Sequence, residues 1–297
     1  MKDQRYKASV IIPLYNQKES LDRVLQFFNY QNYPINYFEV IVINDGSTDG
    51  VDDFLANKAE NYHFPLKVIN QVNKGRAAAR NRGIKESSGE ILIFCDADRI
   101  PDKQFVNRHI SAHTEHERAV VIGASYDYFG GFSRLESSNT NQIKKFSRLP
   151  QYFKKVSTLY NQQQSTSSPI AWITFLVGNS SIKRKHIDEV GWFNERFRHW
   201  GFEHFELAIR LMDNGFQLLM YKEIMNFHLP HKRDKEKILQ QFEISCKILE
   251  ELHPTKKVSL LNDFMIGKIS LQYFEENYNN DSTSLGESQA EEIYFYL

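Results

Sequence analysis

An α/β fold, with a doubly wound and mostly parallel sheet flanked by helices, is what the first hundred residues predict. Three observations carry it: short apolar runs without helical periodicity, amphipathic stretches between them, and loops rich in carboxylates where the runs end. Ala8 to Pro13 reads as the first strand, followed by a helix over Asn16 to Asn29 with Leu21, Val24, Leu25 and Phe28 on one face. Phe38 to Asn44 is the second strand. It stops at Asp45, Gly46, Ser47, Thr48, Asp49 and Gly50, and a helical pattern resumes over Val51 to Asn61. Leu66 to Gln71 is a third strand, Lys74 to Glu86 a helix opened by Gly75, and Glu90 to Cys95 a fourth, fully buried strand. Successive β-α units put their loops on one edge of the sheet, so a nucleotide-sized cleft is expected over the strand tips.

The second half is less regular. Residues 102–129 receive no assigned element, and 130–169 turns polar and rich in Ser and Gln, which reads equally as a lid or acceptor loop over the active face or as a partly disordered stretch. Regular structure returns with a strand over Thr174 to Ile182, a short helix over His186 to Gly191 and a helix over Phe205 to Asn214 that stops at Gly215. Two strands, Phe216 to Tyr221 and Ile224 to His228, follow. From Asp234 the pattern is helical, with a further helix over Val258 to Tyr278, and 281–297 reads as a polar, acidic, flexible tail ending in an apolar IYFYL. The expected organisation is one domain over 1–231, a helical appendage over 232–280 and the tail. Within that domain about 1–125 would bind the donor, 130–169 form the loop, and 170–231 form the catalytic half.

Composition narrows the classes. Hydrophobic residues make up 41% and charged residues 25%, ordinary globular values that exclude a disordered chain. Lys and Arg number 37 against 37 Asp and Glu, which argues against a nucleic-acid binder running on a general positive field. Cys95 and Cys246 are the two cysteines, too few for a disulfide framework and consistent with a reducing compartment. No apolar run approaches the roughly 20 residues that span a bilayer, and the N-terminal stretch lacks a signal-peptide core. A cytoplasmic protein is expected, with peripheral association at the inner membrane face left open.

The chemistry concentrates where the fourth strand ends, at Asp96, Ala97 and Asp98. Alternate residues of an extended segment point the same way, so the two carboxylates could share one divalent cation bridging a diphosphate. The plainer alternative is a D-A-D that solvates a loop.

ASVIIPLYN, VIVINDGSTDG, NKGRAAARNRGI and ILIFCDAD, in that order, resemble the family 2 glycosyltransferases of the GT-A fold, a Rossmann-like architecture. FLVGNSSIKRKHIDEVGWFNERFRHWGFEHFEL further resembles a galactosyltransferase-type acceptor segment with its W-G-x-E-D-x-E-L pattern, and the likeness covers about residues 7–231. What the resemblance implies is an inverting, metal-dependent transfer from a nucleotide diphosphate sugar, a UDP-sugar by preference. The acceptor would be a hydroxyl of a glycan, lipid-linked glycan, peptide or natural product. By the same resemblance Asp45 would read a uracil-type base, Pro13 and Tyr15 would line its pocket, Arg76 would sit near base or diphosphate, and Asp96 and Asp98 would serve metal and ribose. A further metal ligand is implied downstream, where FHLPH offers His228, the favoured residue, and His231. Imidazole tilts the cation toward Mn²⁺ over Mg²⁺. The chain departs from the pattern at Glu203 and His204, where histidine replaces the usual aspartate. Neutral imidazole is a competent general base, so either His204 takes the proton or Glu203 does, with His204 contacting the acceptor. Two other classes stay open. One is a nucleotide-sugar-binding scaffold whose acceptor site has decayed, and the other a sugar nucleotidyltransferase, although PLYNQKES is no Gly-rich phosphate loop. Oligomerisation through the C-terminal helices is also left open.

Overall fold

The computed structural model describes residues 6–135, 139–199, 201–231 and 234–279. The expected tail over 281–297 lies outside them. The chain begins with β1 (Ala8–Leu14), α1 (Lys18–Phe28), β2 (Phe38–Asp45), α2 (Val51–Lys58), β3 (Leu66–Gln71), α3 (Arg76–Glu86) and β4 (Ile91–Cys95). These match the sequence reading because β1, β2 and β4 are buried along their whole length and mostly apolar. Helix α3 lies so close to β1 that a Cβ on Gly83 would fall 2.4 Å from Ile11 Cγ2.

The stretch without assignment holds β5 (Arg99–Pro101), α4 (Phe105–Glu115) and β6 (Ala119–Tyr128). The segment expected as an irregular loop contains α5 (Thr140–Lys145), β7 (Ser147–Arg148) and α6 (Gln151–Val156), and it buries Ile143, Tyr152, Phe153 and Val156. It is packed structure rather than a free excursion. Where a strand was expected from Thr174, a single 3₁₀ turn at Ala171–Thr174 comes first, and β8 runs only from Asn179 to Lys183. After α7 (Arg184–Val190) and α8 (Glu203–Asp213) comes β9 (Gln217–His228). Two strands were expected there. They are one, interrupted by a register shift: Gly123 of β6 pairs Tyr221, whereas Ala124 pairs Met225. The extra residues press Ile224 O against Gly123, where a Cβ would come within 2.4 Å.

The sheet has the order β3-β2-β1-β4-β8-β6-β9-β5, with β7 on β6. β3, β2, β1 and β4 are parallel, β8 is antiparallel to both β4 and β6, and β6 and β9 are parallel. The C-terminal part forms α9 (Lys235–Leu252), α10 (Val258–Met265) and α11 (Leu271–Asn277). The single helix expected over 258–278 is broken at Gly267, in the left-handed region at φ 76°, and Ser270 caps the next helix through the Tyr273 N–H. These helices share one apolar core with residues 170–231: Phe274 packs edge-on against Trp172 at 6.3 Å, and Phe242 against Phe202 at 5.2 Å. Among the described residues, no helix is long and apolar enough to cross a membrane.

Candidate active site

Loops at the tips of β1 and β2 are zipped together. The Asn16 N–H donates to Ser47 Oγ at 2.9 Å, Asn16 Oδ1 accepts from the Thr48 N–H at 2.7 Å, and the Lys18 N–H donates to Asp49 Oδ2 at 2.9 Å. Pro13 is buried inside β1, whereas Tyr15, just past the strand, is half exposed. Asp45 ends β2 and is itself buried. Its Oδ1 accepts from Gln71 Nε2 and the Lys74 N–H, and its Oδ2 from the Gly75 N–H at 2.8 Å. Three of about four acceptor positions are therefore spent on fixing the entrance to α3, leaving one on Oδ2 for a ligand. Gly75, at φ 92°, passes so close to Arg198 that a Cβ would meet its carbonyl oxygen at 2.7 Å. Arg76 stands exposed on the first turn of α3.

Asp96 and Asp98 do not share a setting. Asp96 Oδ1 pairs with Arg80 at 3.0 Å and its Oδ2 with Arg99 at 3.2 Å, so both oxygens are engaged by guanidinium groups. Burial alone would raise its pKa, but Arg80 and Arg99 hold the carboxyl below its ordinary value. Asp98 instead faces the end of β9. Its Oδ2 accepts from Gln17 Nε2 at 2.8 Å and lies 3.7 Å from His228 Nε2 and 3.5 Å from His231 Nε2. Burial is again outweighed: His231, His228, Arg99 and Gln17 keep this carboxyl well below the usual carboxylate range. One ligand atom from each of Asp98, His228 and His231 lies within 4.8 Å of the others. Asp96, expected to join the cation, is not in that group, and His231, the less favoured histidine, is.

His228 is oriented from behind. Its Nδ1 lies 2.8 Å from Asp127 Oδ1, its directly paired neighbour on β6. That contact orients the ring, with Nδ1–H donating, and leaves Nε2 facing Asp98; this buried atom has no hydrogen-bond partner among the described residues. An unpaired buried imidazole nitrogen beside a carboxylate and a second imidazole is the arrangement a divalent cation satisfies, and the Asp127 contact behind it is typical support for such a ligand. Asp127 escaped sequence reasoning because its partner is 101 residues away.

An ionic ladder, buried at Arg80 and Glu203, joins this centre to the start of α8. Arg99 holds Asp96, Asp96 holds Arg80, and Arg80 Nη1 reaches Glu203 Oε1 at 2.7 Å. Arg80 is only 2% exposed, so it is no solvated helix residue. Burial would raise the Glu203 pKa, but His204, Arg80 and Arg76 keep it ionised, below the ordinary range. Glu203 Oε2 is buried without a hydrogen-bond partner among the described residues and lies 3.7 Å from His204 Nδ1. The backbone entering α8 is strained: Gly201 has φ 98°, and the non-glycine Phe202 has φ 73°, held by packing on Phe205 and Phe242. Glu206 points away from this centre, bound bidentately by Arg210 with both contacts at 2.8 Å, and approached by His253.

The glycosyl transferase family 2 model matches residues 9–188. The chain belongs to that family. A second model, the N-terminal domain of galactosyltransferase, matches residues 158–232. In this family 2 chain the first match thus contains Pro13, Tyr15, Asp45, Arg76, Asp96, Asp98 and Asp127, and the second contains Glu203, His204, His228 and His231. The uncharacterized glycosyltransferase YfnE of Bacillus subtilis (strain 168) is 31% identical over 258 residues, covering 76% of this chain and 65% of that protein. The validoxylamine A glucosyltransferase of Streptomyces hygroscopicus subsp. jinggangensis (strain 5008) is 28% identical over 267 residues, covering 83% and 61%. The chain therefore spans less than two thirds of the length of either relative. Among solved structures, S. aureus TarS 1-349 in complex with UDP superposes with a TM-score of 0.59 at 19% identity, covering 90% of this chain and 76% of that one. The mannosyltransferase PcManGT from Pyrobaculum calidifontis, in complex with GDP-Man and Mn2+, gives 0.57 at 18% identity, covering 87% and 75%. The fold is GT-A.

Proposed function

We propose that the chain transfers a sugar, with inversion, from a nucleotide diphosphate sugar to an acceptor hydroxyl, with UDP-sugar as donor and Mn²⁺ as the preferred cation. The observation that carries this reading is the buried, unpaired Nε2 of His228, aimed by Asp127 at Asp98 and His231. Asp98, His228 and His231 would hold the cation, which when bound supplies charge stabilisation for the departing diphosphate. UDP in the TarS complex and Mn2+ in the PcManGT complex support the donor and the metal. Asp45 and Tyr15 face the base, with Pro13 behind them, and Arg76 lies toward the diphosphate. Asp96, locked between two arginines, orients the ribose side of the site rather than binding metal.

His204 is the base in this reading. Glu203, ionised and fixed by Arg80, lies 3.7 Å from His204 Nδ1, and Nε2 of His204 accepts the acceptor proton. The acceptor oxygen then attacks the anomeric carbon from the side opposite the diphosphate. The C–O bond to phosphate breaks, and its electron pair leaves on the diphosphate oxygen. Residues 1–125 thus serve chiefly the donor, and 170–231 the acceptor, the base and, through His228 and His231, the cation. The validoxylamine A glucosyltransferase relative supports sugar transfer as the activity. Two unpaired cysteines, Cys95 and Cys246, support a cytoplasmic setting.

Calorimetry of UDP with and without Mn²⁺ tests the centre. Asp98→Ala and His228→Ala should abolish the metal-dependent part of binding, and Asp127→Asn should weaken Mn²⁺ affinity about 10- to 100-fold. Undiminished metal-dependent binding in Asp98→Ala would remove the cation from this account.

A further inference from the structure

Charge balances over the whole chain but is unevenly spread. From residue 129 to 182 the sequence holds Arg134, Lys144, Lys145, Arg148, Lys154 and Lys155 against one acidic residue, Glu136. The same stretch exposes three phenylalanines: Phe129 at 63%, Phe132 at 44% and Phe146 at 39%. Those between residues 129 and 148 form one surface. The Phe129 N–H donates to Phe146 O at 2.9 Å, continuing the β6–β7 pairing, and the Tyr128 hydroxyl donates to Gly131 O at 3.1 Å, folding 129–134 back on the strand end. The Arg134 guanidinium lies 5.0 Å from the centre of the Phe146 ring, Lys144 reaches the Tyr126 ring at 5.6 Å, and Lys145 and Arg148 are exposed beside them. Underneath, the segment is tied down. Ile143 is buried, and the Thr140 hydroxyl donates to Asp102 at 2.7 Å, so packed structure displays the rings.

We propose that this face seats the protein on an anionic membrane surface. A soluble polyanion would engage the cations but leave three phenylalanine rings, which have no polar tip, in water. A bilayer interface accepts both, with rings in the headgroup–acyl boundary and Lys and Arg at the anionic headgroups. The face adjoins the candidate active site, since Phe129 follows two residues after Asp127, the partner of His228. Docking there would bring a lipid-borne acceptor hydroxyl to the site. That consequence rests on the transferase reading, but the docking itself does not.

Flotation of the full chain with vesicles tests it. The protein should rise with vesicles of equimolar phosphatidylglycerol and phosphatidylcholine, and far less with phosphatidylcholine alone. Lys144→Gln with Lys145→Gln should weaken binding about 25-fold, at roughly five-fold per cation. Phe129→Ser with Phe146→Ser should release the protein as well, with thermal unfolding and UDP–Mn²⁺ calorimetry of the same variants unchanged. Absence of flotation, or flotation retained by both variants, would overturn the proposal. So would flotation that survives loss of the phenylalanines and is competed away by soluble polyphosphate, which points to a polyanion partner. Because UDP binding is read separately, failure of docking is distinguishable from failure of the transferase reading.

Discussion

At Glu203 one carboxylate has two neighbours with different claims. Oε1 is committed to Arg80 at 2.7 Å, and Oε2 looks toward His204 Nδ1 at 3.7 Å. Held ionised below the ordinary carboxylate range, Glu203 does not titrate near neutrality and is a weak proton acceptor there. Any acidic limb of kcat/KM near neutral pH therefore belongs to another group, and replacing His204 by Ala should remove it. The same change should lower kcat by roughly 10² to 10⁴ while leaving UDP and metal binding nearly unchanged. His204→Asp should recover part of the loss. A fully active His204→Ala beside a Glu203→Gln variant that binds UDP but does not turn over would transfer the role of base to Glu203. Glu203 and His204 stand out in the sequence as a break in a motif. The ion pair that fixes Glu203 does not, because it depends on Arg80, a residue 123 positions earlier on another helix.

Helix α4 and strand β8 meet through a polar network that no periodicity announces. His109 and His113, one turn apart, both face Ser181: His109 Nδ1 and His113 Nε2 each lie 2.9 Å from its hydroxyl, and His109 Nε2 lies 3.1 Å from Asn179 Oδ1. These contacts close in one proton arrangement. His109 Nε2–H donates to Asn179, Ser181 donates to His109 Nδ1, and His113 Nε2–H donates to Ser181, with both rings neutral. An added proton on His109 Nδ1 would confront the serine hydrogen. Burial pushes both histidines down to about 3, helped at His113 by Lys183 and His186 and opposed there by Glu117. The unfolded chain, with imidazoles near 6.5, takes up protons first, so stability falls as pH drops from about 6.5 toward 3. Between pH 7 and pH 5 the loss is roughly 2 kcal/mol per histidine. Asp98 and Glu203, with depressed pKa values, withdraw their stabilisation only in the carboxylate range and below, a separate window. Urea unfolding at pH 7, 6 and 5 should record this slope, and His113→Gln should flatten it. Equal stability at pH 7 and pH 5 would mean the rings are not held neutral. The same inward histidines explain why α4 was not read from the sequence: its buried face is polar at two positions where the helical template expects apolar side chains.

For the molecule as a whole, the parallel strands β1, β2 and β4 were legible because coverage on both faces makes them near-continuous apolar runs, whereas the C-terminal helices read as an appendage because a sequence does not display which faces meet. Trp172, Phe205, Phe264 and Phe274 belong to one cluster that runs across residue 231. Phe274→Ala should therefore cost the entire protein about 3 to 5 kcal/mol, in a single denaturation transition. Two transitions, with the larger one unmoved by the substitution, would make these helices an independent unit. A different consequence follows from the way β4 is completed. Its second edge is filled by β8, with Ile91 paired to Lys183 and Cys95 to Asn179, nearly ninety positions later. On the ribosome, a nascent chain that has already assembled β3, β2, β1 and β4 carries an open, wholly apolar strand edge until about ninety more residues have emerged. At 5 to 20 residues per second that interval lasts roughly 5 to 20 seconds, long enough for holding chaperones to decide how much enzyme a cell recovers.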